Sequence, residues 1–327
     1  MYRCLKCGAI FPNLPKCQCG YEHEIIGGVY QLTDMPNMNI DAELGELYTG
    51  YDKIGQYYEG KNWRDLIDDN RQAEYISPLL NGGYLLDVGC GTGTHSLPSA
   101  LNGDKVIFTD ISQVMIELLI EKAKYHNIDM KYITPIRMNG LDLRFADNSI
   151  DMVRCDGMLH LTSNSAKILQ EIYRVLKPNG KFIVKSSFGE GIDNSINKVN
   201  LDELNKQYYE RFNYWTGVYY NNVSEYPKTR FGYQFDILAE CEKVFGEIEK
   251  VEFYNTDRKL ITEKLDFQLY RFKNKGFSDQ QNIPDDANAA ACETADRETK
   301  LKYGEDFDQV VHSTYPSEGF YLNVFTK

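Results

Sequence analysis

The residues most able to do chemistry sit in Asp87-Val88-Gly89-Cys90-Gly91-Thr92-Gly93-Thr94. The apolar residues ahead of Asp87 read as a short buried strand ending in an acid, and the Gly-x-Gly-x-Gly run must then turn sharply into a helix. Glycines let a ligand approach the backbone without Cβ atoms in the way and leave N–H groups that can point at it. A dinucleotide fingerprint needs glycine at position 94, where Thr94 stands. Asp87 would also repel a pyrophosphate, whereas it suits a ligand carrying an ammonium group. A second acid, Asp110, closes another buried strand about 20 residues after the glycines, where a carboxylate can accept both hydroxyls of a ribose. Metal chemistry is suggested by Cys4-x-x-Cys7-Gly8 and Cys17-x-Cys19-Gly20, two knuckles offering the four thiolates of a tetrahedral zinc site. Free thiols or disulfides are the rival readings. The second pair has a tighter bite than Cys-x-x-Cys, so His23 can replace Cys17 or Cys19 in the shell.

The rest of the chain must position these groups. At 327 residues, 42% hydrophobic and 26% charged, it is long enough for one large domain with an appendage or for two modest domains. Forty-eight acids against 36 bases make the formal net charge −12, which disfavours nucleic acid as a partner. Four of the eight cysteines fall within the first 19 residues, as expected of a metal cluster plus isolated thiols. Residues 1–11 hold no apolar run of signal-peptide length and no window approaches 18 uninterrupted apolar residues, so a soluble cytoplasmic protein without membrane association is expected.

Residues 1–33 are too few to fold without metal and read as a zinc-ribbon-like domain. Residues 34–83 read as a linker followed by helices. From 84 to 188, strand and helix patterns alternate, which argues a parallel sheet covered on both faces. Within it, Ser112 caps a helix with Met115, Leu118, Leu119 and Ala123 on its buried face, and a later helix buries Ile168, Leu169, Ile172, Val175 and Leu176. Residues 189–236 are rich in tyrosine and phenylalanine, suited either to a cap over an organic substrate or to plain packing. Residues 237–327 supply a helix over 237–245 and strands over 248–254 and 319–325. A polar stretch near 282–308 reads as a surface helix or a disordered insertion.

The run Asp87-x-Gly89-x-Gly91-x-Gly93 resembles motif I of the class I S-adenosylmethionine (SAM) methyltransferases, Asp/Glu-x-Gly-x-Gly-x-Gly. Its expected partners follow in order. Asp110 resembles the motif II acid. Residues 138–153 resemble the family segment Asp-Ala-x-x-Leu-Pro-Phe-x-Asp-x-Ser-Phe-Asp-x-Val, with Asn139 where an acid usually meets the adenine amine. Either Asn139 alone or Asn139 with Asp142 would serve there. Glu171-Ile172-Tyr173-Arg174-Val175-Leu176-Lys177-Pro178-Asn179-Gly180 is a further hallmark. Upstream, Tyr51, Asp52 and Tyr57 or Tyr58 resemble the lid of the ubiquinone and menaquinone biosynthesis enzymes, against the plainer alternative of an amphipathic helix. Residues 19–30 are similar to the strand and turn closing ribbons attached to some methyltransferases, including those acting on ribosomal guanine.

The resemblance implies an α/β fold: a Rossmann-like, doubly wound, seven-stranded sheet with an antiparallel last strand, a small N-terminal zinc ribbon and an aromatic-rich cap. It implies SAM as cofactor beside structural zinc, with Tyr51, Tyr57, Asp87, Gly89, Cys90, Gly91, Gly93, Asp110, Ile111, Asn139, Gly140, Cys155 and Asp156 along the donor. His160 aligns with a common histidine and is the general-base candidate, or else a packed structural residue. The expected reaction is methyl transfer to a small organic acceptor at an N, O or C atom. The alternatives are an RNA guanine methyltransferase reading its substrate through the ribbon, and a SAM-binding regulatory protein without turnover. A homodimer is also consistent with these features.

Overall fold

Leu85 and Leu86 are neighbours in one strand, yet both are fully buried, because the two faces of that strand pack into separate apolar layers. Leu86, Val88 and Ile107 enter one layer; Leu85, Val106 and Phe108 enter the other. The computed structural model describes residues 1–33, 51–52, 55, 63–65, 67–187, 201–226, 236–254, 261–277, 280, 282–314 and 319–327. The expected lid residue Tyr57 lies outside the described residues, as do segments 34–50, 188–200 and 227–235.

The chain opens with the antiparallel pair β1 (Tyr2–Arg3) and β2 (Ile10–Phe11), then β3 (Ile25–Ile26) and β4 (Val29–Gln31). Helix α1 (Asn70–Leu80) leads into β5 (Tyr84–Val88), α2 (Leu97–Leu101), β6 (Lys105–Asp110), α3 (Gln113–Tyr125), β7 (Ile133–Arg137) and β8 (Ile150–Arg154). Next come α4 (Ser165–Val175), β9 (Leu176–Ser187), α5 (Leu201–Asn222), α6 (Ile237–Phe245) and β10 (Ile248–Tyr254). The remainder is β11 (Ile261–Lys264), α7 (Leu265–Lys273), α8 (Asp285–Tyr303), β12 (Val311–Thr314) and β13 (Gly319–Thr326).

The main sheet has the order β10-β13-β9-β8-β5-β6-β7-β4-β3. Its seven strands from β10 to β7 are the expected doubly wound sheet, with β13 antiparallel to both β9 and β10. Two further strands extend it. β4 runs parallel to β7 through Tyr30↔Ile136 and Gln31↔Arg137, and β3 pairs with β4. The N-terminal residues are thus joined to the core: Phe11, Cys4, Cys17 and Leu32 share an apolar cluster with Phe145, and the Arg3 N–H donates to the Arg144 carbonyl at 2.8 Å. This edge pairing leaves no periodic trace in two- and three-residue strands, so it is invisible before folding.

Local chemistry sets the helices. Ser112 caps α3 by accepting from the Met115 N–H, and Asp236 caps α6 by accepting from Leu238 and Ala239. On α4 the predicted stripe Ile168, Leu169, Ile172 and Val175 is buried, each such side chain contributing on the order of 2 kcal/mol. The Lys177-Pro178-Asn179-Gly180 run lies inside β9, where the pairing with β8 shifts register between Ile150 and Met152 and Asn179 takes a positive φ of 66°.

A separate apolar cluster unites α5, α7 and α8 beside the antiparallel β11–β12 pair, with Trp215 and Tyr219 packed against Phe272 and Tyr208 stacked on Phe212. In the expected cap segment these rings are core. The polar stretch near 282–308 contains α8, which buries Asn288, Ala291, Cys292, Ala295 and Thr299 along one face. No helix among the described residues is long and apolar enough to cross a membrane.

Candidate active site

The strongly apolar β5 ends at Val88, and the following turn opens a cleft of about 1180 Å³, counting the solvent at its mouth, across the carboxyl ends of the parallel strands. Gly89 and Gly93 both have positive φ, 72° and 77°. A Cβ at Gly89 would lie 2.6 Å from Met158 Cγ, so only glycine admits the Met158 chain that floors the cleft. A Cβ at Gly93 would lie 2.7 Å from Leu119 Cδ1.

Asp87 is 3% exposed and lines the cleft. Burial pushes its carboxyl up to about 6, against the pull of Arg154. Asp110 is fixed at both oxygens: Oδ2 accepts the Gly91 N–H and Oδ1 accepts the Ser112 N–H, each at 2.9 Å. Burial raises this carboxyl too. Each oxygen retains a second lone pair for a ligand hydroxyl. Tyr51 reaches the cleft because its neighbour Asp52 accepts from Ser112 Oγ at 2.6 Å and from the Val114 N–H at 3.2 Å, a carboxylate seated on the N-terminus of α3.

Asp156 also lines the cleft. Burial opposes its ionisation, but Arg154, His95 and the Lys185 N–H together outweigh that and hold it below its ordinary range. The Arg154 guanidinium is fully buried and bonds Asp156, the His95 carbonyl and Gln72. Asn139 is buried, with Oδ1 accepting the Leu141 N–H at 2.9 Å, whereas Asp142 pairs with Arg144 at 2.7 Å and stands off the lining.

Thus Tyr51, Asp87, Gly89, Cys90, Gly91, Asp110, Ile111, Asn139, Gly140 and Asp156 are brought together, and three expected residues are not. Gly93 faces the packing of α2 and α3 rather than the cleft. Cys155 is buried in the β8–β9 pairing, its N–H donating to Ile183. His160 lies in a single turn between two lining segments and is absent from the lining itself. Burial lowers its proton affinity.

In and behind the cleft wall stand residues that sequence reasoning passes over. Lys122 looks like a surface residue of α3, yet it is fully buried and donates to Thr92 and Thr94, both at 2.8 Å, clamping the glycine turn. His95 follows the turn and lines the cleft. A histidine two residues beyond the last glycine was the available signal; its partner Asp68 was not predictable from spacing.

At the N-terminus, the four ligand atoms of Cys4, Cys7, Cys17 and Cys19 lie within 4.8 Å of one another. Cys4–Cys19 and Cys7–Cys17 are each 3.8 Å apart. Bonds of about 2.3 Å from a tetrahedral zinc place sulfurs about 3.8 Å apart, so the donor set fits that ion. His23 is instead buried in a stack on Phe11, 5.4 Å between centroids, outside the thiol group.

Comparison with known proteins agrees with this geometry. Residues 86–184 match the family model described as "Methyltransferase domain". Strand order, acid–glycine turn and this match make residues 86–184 similar to a methyltransferase domain of the class I, SAM-dependent type. Among individual relatives, a "Demethylmenaquinone methyltransferase" of Symbiobacterium thermophilum is 33% identical over 146 residues, covering 41% of this chain and 55% of that protein. A "Highly reducing polyketide synthase resH" of Aspergillus sclerotiorum is 29% identical over 172 residues, 49% of this chain and 6% of that protein. The solved YcgJ protein of Bacillus subtilis is 16% identical with a TM-score of 0.41, over 79% of this chain and 99% of that one. The chain spans about half the length of the first of these relatives.

Proposed function

We propose that this chain transfers the methyl group of SAM to a small organic acceptor. The observation that carries the reading is the placement of Asp87: its carboxylate is buried in the wall of the cleft, and the opposition of burial to its ionisation would be offset by the ammonium of SAM. Asp110, held by two backbone N–H groups, would take the ribose hydroxyls, and Asn139 with Gly140 would border the adenine. When bound, SAM supplies an electrophilic methyl carbon on a sulfonium. The chain's own part is to align the acceptor and exclude water, for which Tyr51, Met158, Leu161 and Ile168 offer an apolar wall. Positioning can carry much of the rate of such a transfer.

The acceptor class is a quinone-derived or related hydroxylated aromatic, in keeping with the name of the Symbiobacterium relative. RNA is a poor fit. The net charge is −12, and Arg3, which a basic path from ribbon to cleft would need, pairs with Asp147 at 3.3 Å. The four cysteines would hold a structural zinc that ties the ribbon to the edge of the sheet. The test is calorimetry with SAM and S-adenosylhomocysteine, followed by mass detection of methylated product across hydroxylated naphthalenes, amines and an rRNA transcript. Heat with neither SAM ligand overturns the proposal; methylation of RNA alone overturns the acceptor class.

A further inference from the structure

Asp68, His95 and Lys185 come from three distant parts of the chain and form one connected group at the cleft wall. His95 Nδ1 is 2.7 Å from Asp68 Oδ2. Lys185 Nζ donates to both oxygens of the same carboxylate at 2.9 and 2.7 Å, the Gln72 amide adds a bond at 2.9 Å and the Asp69 N–H another at 2.8 Å. The backbone of His95 is held as well, its carbonyl accepting from Arg154 Nη1 at 2.8 Å. The ring itself remains 40% exposed and lines the cleft beside Thr94 and Thr162. With Nδ1 committed to Asp68, Nε2 is the nitrogen left for a ligand.

The geometry points to His95 as the proton acceptor of the reaction, with Asp68 as its positioning residue, acting on acceptors whose attacking oxygen or carbon carries an acidic proton. This rests on the methyl-transfer reading above. The acceptor's X–H bond breaks as its proton passes to Nε2, the X electron pair forms the bond to the methyl carbon, and the S–C electrons remain on sulfur. The products are methylated acceptor, S-adenosylhomocysteine and a His95 imidazolium, which returns its proton to solvent.

The charge around the ring supports that sequence. The groups facing it are Asp68 ahead of α1, Asp87 on β5, Arg154 and Asp156 at the end of β8, and Lys185 on β9. Burial works against ionisation of Asp68, but its His95 and Lys185 partners outweigh it and hold the carboxyl well below its ordinary range. Asp68 therefore stays anionic, fixes the proton on Nδ1 and stabilises the imidazolium, the same division of labour as in a Ser-His-Asp triad.

The test compares wild type, His95→Gln and Asp68→Asn for SAM-dependent methylation of 1,4-dihydroxynaphthalene between pH 5 and 9, with SAM affinity measured by calorimetry. His95→Gln should lower kcat by about 100-fold or more and abolish the fall in rate toward acid pH, leaving SAM affinity within about threefold. Asp68→Asn should lower kcat and shift that acid limb. A kcat within threefold of wild type in His95→Gln, or SAM affinity falling in step with kcat, overturns the assignment. Nitrogen-15 NMR of histidine-labelled free protein must show neutral His95 protonated at Nδ1; an Nε2–H tautomer overturns it independently of any acceptor. Wild type that binds SAM but leaves the naphthalenediol unmethylated overturns the acceptor class. Wild type that binds no SAM strikes the methyl-transfer reading, while the tautomer measurement still decides the pair.

Discussion

Replacing Asp87 by Asn should make the free protein more stable and the donor complex weaker. Burial pushes the carboxyl up to about 6 in the fold, from an ordinary value of 3.8. Because the folded value is the higher one, the proton is favoured in the native state. The group is neutral and harmless below pH 3.8, and its ionisation costs stability as pH rises through 6. At pH 7 that cost is about 3 kcal/mol, the group being fully buried. For a chain of 327 residues this corresponds to a rise in Tm of about 4 °C for Asp87→Asn at pH 7, and almost none at pH 4. The same substitution removes the anion proposed to face the SAM ammonium and should weaken binding by about 30-fold or more. Wild-type SAM affinity should itself fall about tenfold per unit as pH drops below 6, because a proton must leave Asp87 for the ammonium to pair with it. Thermal melts and calorimetry from pH 4 to 8 measure both quantities. A variant less stable than wild type at pH 7, or one binding SAM undiminished, would refute the assignment of Asp87 as a buried anion awaiting a cation.

Gly93→Ala forces a Cβ to 2.7 Å from Leu119 at a φ of 77°, so it should lose about 2–4 kcal/mol of stability in denaturant titration. Lys122→Met keeps the volume but strips Thr92 and Thr94 of their shared donor; SAM affinity should drop several-fold in calorimetry while the far-UV spectrum stays unchanged. Native mass spectrometry should find one zinc per chain, lost in the double substitution Cys7→Ser and Cys19→Ser. In that variant hydrogen exchange should rise first in β3 and β4, with β5 protected as before.

The order of strands and helices from β5 to β9 was legible because each element carries its own periodicity and its own punctuation. Examples are Leu85 and Leu86 before the glycines, Ser112 ahead of α3 and the stripe on α4. Asp87 and Asp110 were readable for the same reason: each stands at the end of an apolar run, and a doubly wound sheet puts the ends of its parallel strands at one crevice. The cysteine knuckles were readable from spacing alone. Local pattern could not say that the N-terminal strands would join the sheet beside β7, because strands of two or three residues have no register of their own. Nor could it show that Lys122 is buried, that Gly93 serves packing, or that His160 stands aside while His95 meets Asp68 across 27 residues. Those are contacts between separate elements, and their energies depend on distances that only the assembled fold sets.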